Sequence, residues 1–142
     1  MIIERVHPKA TIPTKQFIND SGYDVTSPVD ITLSWHVPKA VVPLGIKLSI
    51  PEGYEVQVRP RSGLAANYGI TAVFGTVDNG YRGEIKITLL RVCTPDDIPI
   101  TLYAGSRIAQ LVLAPVHHIN FIEGTVMPLT DRGVGGFGHT GI

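Results

Sequence analysis

The sequence is nearly devoid of cysteine: Cys93 is the only one among 142 residues. A single thiol closes no disulfide within the chain and cannot supply a thiolate-rich structural zinc site. Cys93 therefore reads as a buried or inert small hydrophobe. Charge imbalance is missing as well. Twelve basic side chains meet twelve acidic ones, without the basic excess that usually marks a nucleic-acid coat or a protein of anionic membrane surfaces. Neither nucleic acid nor a membrane is expected as a partner. No stretch approaches the roughly 18 apolar residues of a membrane span. The opening Met1-Ile2-Ile3-Glu4-Arg5 lacks the basic-then-apolar order of a signal peptide. A cytoplasmic protein is the expectation. Internal repeats are lacking too, and the length suits one domain, which at this size buries about 68–70% of the surface its unfolded chain exposes.

What the chain has in quantity is punctuation. Fifteen glycines and eleven prolines separate short runs rich in Val, Ile, Leu, Thr and Tyr, the signature of an all-β protein. Residues 54–59 alternate apolar and polar, as a strand with one wet face does. Residues 84–89 repeat the pattern and put Ile85, Ile87 and Leu89 on one face. Arg107 to Val116 starts polar and turns apolar over residues 111–114, which predicts a more buried strand. Val41-Val42, Gly45 to Ile50 and Ile70 to Phe74 supply further strands, and Ser62 to Tyr68 a short helical turn after a proline. A jelly-roll-like double sheet or barrel fits best. Residues 1–130 are read as this domain and residues 131–142 as its flexible arm. The stretch from Asp131 to Gly141 holds five glycines and little to bury, so it gains no stable fold from its own contacts. Composition fits either a frayed end or a lid that closes over phosphates.

Two segments carry candidate chemistry. In Arg59-Pro60-Arg61-Ser62-Gly63-Leu64-Ala65 a strand gives way to a helical turn, whose first backbone N–H groups are natural partners for phosphate oxygens. Ser62 adds a hydroxyl, Gly63 allows close approach, and Arg61 adds a guanidinium. Read alone, the segment is equally a helix start beside a surface arginine. In Gly75-Thr76-Val77-Asp78-Asn79-Gly80-Tyr81-Arg82-Gly83-Glu84, Asn79-Gly80 predicts a tight turn between the strands of a hairpin. Asp78 at its mouth could serve as a positioned base for a hydrolytic water, and Tyr81 could lay its ring on a sugar. Turn stabilisation and packing are the plainer roles for the same two residues.

Taken together, five segments in order are far more specific. Ser21-Gly22-Tyr23-Asp24-Val25, Pro60 to Ala65, Gly75 to Ile85, Gly105-Ser106-Arg107-Ile108-Ala109-Gln110-Leu111 and Arg132 to Gly141 resemble the five motifs of the trimeric all-β dUTPases. That resemblance implies a dUTPase-like β-clip fold and a homotrimer with active sites at subunit interfaces. It implies hydrolysis of dUTP to dUMP and pyrophosphate by in-line attack of water on the α-phosphorus. Such an activity limits uracil in DNA and supplies dUMP for thymidylate synthesis. It further implies that Ser62, Gly63 and Gln110 contact phosphate oxygens while Arg61 holds their loop. Backbone groups of Gly75, Thr76 and Val77 would read the uracil edge. Asp78 would hold the sugar 3′-hydroxyl and orient or deprotonate the water, and Tyr81 would exclude a 2′-hydroxyl. Lys86 sits where close relatives line the nucleotide site. Mg2+ is the implied cofactor, bound through triphosphate oxygens, with Asp24 near its water shell rather than in its first coordination sphere. In the arm, Phe137 would stack on uracil, Arg132 would meet the γ-phosphate, and Gly138 and Thr140 would donate to phosphates, closing only over substrate.

Some positions depart from the pattern. Ala72 stands where many bacterial members have an asparagine that contacts uracil, so uracil reading must rest on backbone groups or water. His139 replaces a common serine in the arm and would be charged below about pH 6.5. His117 and His118 would point to opposite faces of a strand and so do not suggest a metal pair. Trp35 has no role by resemblance. Two rival readings stay open: a dCTP deaminase on the same fold, against which the Asp78 to Glu84 segment speaks, and a nucleotide sensor without catalysis.

Overall fold

The computed structural model describes residues 1–92, 98–127 and 130–135; Cys93, Phe137, Gly138, His139 and Thr140 fall outside them. Among the described residues, β1 (Ile2–Arg5), β2 (Tyr23–Thr26), β3 (Ile31–Leu33), β4 (Lys39–Ser49) and β5 (Tyr54–Arg59) precede a single helix, α1 (Ser62–Tyr68). After it come β6 (Ile70–Ala72), β7 (Gly75–Val77), β8 (Glu84–Arg91), β9 (Ile100–Leu102) and β10 (Arg107–Pro115). One antiparallel sheet runs β1-β4-β8-β6, a second β2-β10-β5-β7, and a two-stranded ribbon joins β3 to β9. The double-sheet, all-β expectation holds, and the helix spans the residues read for it.

Alternation explains which faces meet. Ile85, Ile87 and Leu89 of β8 are buried, as are Val42, Leu44, Ile46 and Leu48 of β4, the strand beside it. From the second sheet Val56, Val58, Val25 and Leu111 point back at them, so one apolar core fills the space between the layers. Pro43 lies inside the paired strand β4, where a missing N–H is tolerated only at an irregularity. The β4–β8 register breaks between Pro43 and Lys47. There Gly45 takes a φ of +70°, a Cβ on it would lie 2.5 Å from His7 Cβ, and its N–H donates to Glu84 Oε1 at 2.9 Å.

Two expectations change. The apolar run of residues 111–114 predicts a more buried strand, yet the burial of β10 is concentrated toward its start. Ile108, Ala109 and Leu111 are buried, whereas Leu113 is 41% exposed. The cause is pairing: β2 covers β10 only as far as Leu111, and beyond it β5 alone continues alongside. Leu113 is left lining an apolar cavity of about 350 Å³ with Met1, Ile3, Ile12, Leu48 and Leu111. The second change concerns Asn79-Gly80. Strand β7 pairs with β5, and β8 pairs with β4 and β6, so the turn joins two sheets and closes no ladder. Gly80 is not among the glycines with positive φ, and without that left-handed residue the turn lacks the twist that keeps hairpin strands together.

Candidate functional site

The first cluster forms where β5 ends and α1 begins. Arg61 caps the helix with extended backbone (φ −100°, ψ 125°), and no side chain caps the free N–H groups of the first turn. Its guanidinium turns instead to β2. Arg61 Nε donates to Asp24 Oδ1 at 2.9 Å, and Arg61 Nη1 to the Arg107 carbonyl at 3.3 Å. Arg107 Nη1 donates to Asp24 Oδ2 at 3.2 Å, and Gln110 Nε2 to Asp24 Oδ1 at 3.2 Å. The register that sets Gln110 opposite Asp24 makes this possible. A Cβ on Gly22 would lie 2.9 Å from both Gln110 Cβ and Oε1, so the glycine of the first motif gives Gln110 its room.

Asp24 is only 9% exposed. A carboxylate so buried is tolerable because three charge-assisted or amide donors hold it. One carboxylate between two guanidiniums leaves a unit of positive charge over, and the corner attracts anions. Ser62 and Gly63 stand exposed at its rim, and a Cβ on Gly63 would touch nothing in its own chain. Arg107 was not singled out from the sequence. Its signal was present in the fourth motif, but only the β2–β10 pairing reveals that it shares Asp24 with Arg61.

The second cluster surrounds the sheet-crossing turn. Thr76, Val77, Asp78, Tyr81, Glu84, Ile85 and Lys86 line a cavity of about 220 Å³. Asp78 is exposed, and none of the hydrogen bonds among the described residues holds its carboxylate. Lys86 projects from β8 into the same cavity and makes no ion pair among the described residues. Tyr81 is fixed at both ends: its N–H donates to the Asp78 carbonyl at 3.0 Å, and its hydroxyl to the Glu84 carbonyl at 3.1 Å. The ring lies over Gly83, where a Cβ would collide with the tyrosine hydroxyl. Gly75, Thr76 and Val77 form an edge strand, so half of their backbone donors and acceptors face away from β5. Ala72 is buried opposite Leu89 and does not line this cavity.

These clusters share no residue. Gln110 faces Arg59 on one side of β5, while Val77 faces Val56 on the other. Strand spacing and rise put the Gln110 and Val77 backbones roughly 14 Å apart, with Asp78 one residue farther on. Arg132 joins neither cluster through a hydrogen bond; its Nε donates to the Gly135 carbonyl at 2.9 Å. His117 and His118 follow β10 outside any strand. Among the described residues no group of three or more His, Cys, Asp or Glu could hold a metal ion, and no helix is long and apolar enough to cross a membrane.

Fold and clusters define a class first: an all-β protein that presents an anion-seeking arginine corner and, apart from it, an open carboxylate pocket. The particular family is given by comparison. The sequence profile of the dUTPase family matches residues 8–141. The deoxyuridine 5′-triphosphate nucleotidohydrolase of Finegoldia magna is 44% identical over 134 residues, covering 92% of this chain and 91% of that protein. The protein of that name from Helicobacter pylori strain P12 is 42% identical over 142 residues, covering 99% and 95%. The chain belongs to the dUTPase family. Its fold matches a variant of the Staphylococcus bacteriophage 80alpha dUTPase with dUpNHpp at a TM-score of 0.86, over 99% of this chain and 98% of that one at 24% identity. A variant dUTPase from phage phi11 of S. aureus, described as coordinating a structural Mg(II) ion, matches at 0.77 over 90% and 98% with 22% identity.

Proposed function

We propose that the protein hydrolyses dUTP to dUMP and pyrophosphate, with water attacking the α-phosphorus. The observation that carries this beyond family membership is the Asp78 carboxylate, without a hydrogen-bond partner among the described residues, on a braced turn lining a cavity with Tyr81 and Lys86. A carboxylate so placed can accept a proton from water or orient it, and such a base contributes roughly 10²–10⁴ in rate. The edge backbone of Gly75, Thr76 and Val77 would hydrogen-bond uracil. Tyr81, pinned over Gly83, would occupy the space of a 2′-hydroxyl. Lys86 would offset phosphate charge. At the other cluster Arg61, Ser62, Gly63 and Gln110 would receive the phosphate chain, with Asp24 fixing Arg61 and Gln110 from behind.

The separation of the two clusters supports a homotrimer in which the Asp78 pocket of one subunit meets the Arg61 corner of another. Surface composition supports it as well. Beyond β10, Ile119, Phe121, Ile122, Val126 and Met127 are exposed, Phe121 and Ile122 to 91%, and an apolar segment of this kind needs cover that the described residues of its own chain do not give. The arm from residue 131 would close the site, with Arg132, Phe137, Gly138 and Thr140 meeting substrate. A cytoplasmic setting belongs to the same reading.

For Mg2+, the donor set is informative. Both oxygens of Asp24 already accept hydrogen bonds from Arg61, Gln110 and Arg107, so Asp24 suits a contact to the ion's water shell and not direct ligation. An ion carried on triphosphate oxygens fits these residues; when bound it neutralises and orients the phosphates. The deciding assay follows pyrophosphate release from dUTP, dTTP, dCTP and UTP, with and without Mg2+. Release from dUTP well above the other three is expected. Ammonia from dCTP would point to deamination, and tight dUTP binding without hydrolysis to a sensor; either result overturns the proposal.

A further inference from the structure

Catalysis from the exposed Asp78 demands that its carboxylate be aimed, yet no hydrogen bond among the described residues reaches that side chain. The backbone of the turn from Asp78 to Tyr81 therefore fixes where the Asp78 Cβ stands and limits which rotamers bring the carboxylate to a bound water. That turn joins two sheets and has no ladder of its own; beyond its one backbone bond, from the Tyr81 N–H to the Asp78 carbonyl, side chains tie it to the rest of the fold. The neighbouring Asn79 does so over a long range in sequence: its Nδ2 donates to the Ile50 carbonyl at 2.6 Å, in a partly buried position. Ile50 itself is buried, and it leads into the turn where the Tyr54 N–H meets the Pro51 carbonyl at 3.3 Å. Arg82 Nη1 bridges the carbonyls of Asn79 and Tyr81 and stiffens the turn from outside.

We propose that Asn79 is a positioning residue for the reaction, holding Asp78 in register through the Asn79–Ile50 hydrogen bond without touching substrate. The inference rests on Asp78 as the group that orients the attacking water. Geometry justifies the expected size, because a displacement of about 1 Å at a reacting group can cost on the order of 10²-fold in rate. Uracil and phosphate contacts belong to other residues, so the main effect is expected on kcat, with a smaller change in KM from the sugar contacts of the same turn.

The test is a double-mutant cycle in the full-length chain with dUTP. Asn79→Ala should lower kcat about tenfold to a hundredfold while KM changes by less than about threefold. In the Asp78→Asn background the same change should alter kcat by less than about twofold, because there is no longer a carboxylate to aim. Asn79→Leu, close in volume but without a donor, should repeat the result if the alanine variant folds poorly, and Asn79→Gln should restore part of the loss. Unchanged kcat in both Asn79→Ala and Asn79→Leu would overturn the proposal. So would losses that multiply in the Asp78→Asn background, or a fall in thermal midpoint large enough to account for the lost activity. Normal turnover by Asp78→Asn alone is a different failure: it removes the role of Asp78 and the proposal with it.

Discussion

At the scale of single residues, the arginine corner and the aspartate pocket work by opposite means. Asp24 is buried and held by three donors. Asp78 is exposed and held by none that the described residues provide. The first fixes its neighbours; the second can be reached by water. Asp24→Ala leaves Arg61 and Gln110 without their common acceptor. Losing one member of a buried pair costs about 3–5 kcal/mol, and the half-exposed Arg107 brings the expectation down to about 3 kcal/mol. Urea unfolding at fixed protein concentration measures it; a loss below about 1 kcal/mol would mean the corner is not supported by Asp24. Asp78→Asn should fold and bind dUTP while turnover falls roughly 10²–10⁴-fold. Single-turnover kinetics beside a binding isotherm separate the two effects, and near-normal turnover would assign water activation elsewhere.

At the scale of elements, the tyrosine of the third motif depends on the glycine two residues later. Tyr81 lies where a Gly83 Cβ would be, and its hydroxyl is tied to the Glu84 carbonyl. Gly83→Ala should therefore push the ring into the cavity or out of it. The expected outcome is weaker discrimination between dUTP and UTP, by tenfold or more in the ratio of kcat/KM values. Equal loss for both nucleotides would show that Tyr81 supports the pocket without selecting the sugar. The same turn shows why local sequence signals stop short of topology. Asn79-Gly80 reads as a hairpin signal, yet its two strands belong to different sheets. Nothing within four residues encodes that choice; it follows from β5 and β4 competing for β7 and β8 as ladder partners.

Across the whole molecule, the distance between the clusters makes a sharp demand. If sites are shared between subunits, mixing an Asp78→Asn chain with a Gln110→Ala chain, followed by unfolding and refolding together, should restore activity. Some interfaces of the mixed trimers then combine an intact pocket with an intact corner. Chains refolded separately should stay impaired. Lack of recovery in a verified mixed trimer would place each site within one chain. Activity in a stable monomer would contradict the shared arrangement equally.

The sequence by itself determined the alternating strands of residues 54–59 and 84–89, the helix of residues 62–68, and the ordered motifs that name the family. The strands and the helix are written in local spacing, where side chains of neighbouring residues alternate or repeat along one strand or turn, and each motif is a short local run. Resemblance to the family's motifs also pointed to Asp24, Arg61, Gln110 and Asp78. Only the tertiary structure decided that Arg107 shares Asp24 with Arg61, that Asn79 reaches Ile50, and that the second half of β10 is left uncovered. Those outcomes depend on strand order and register between segments 29 to 83 residues apart. Pairing of that range is fixed by the global competition to bury one core, which no local pattern records.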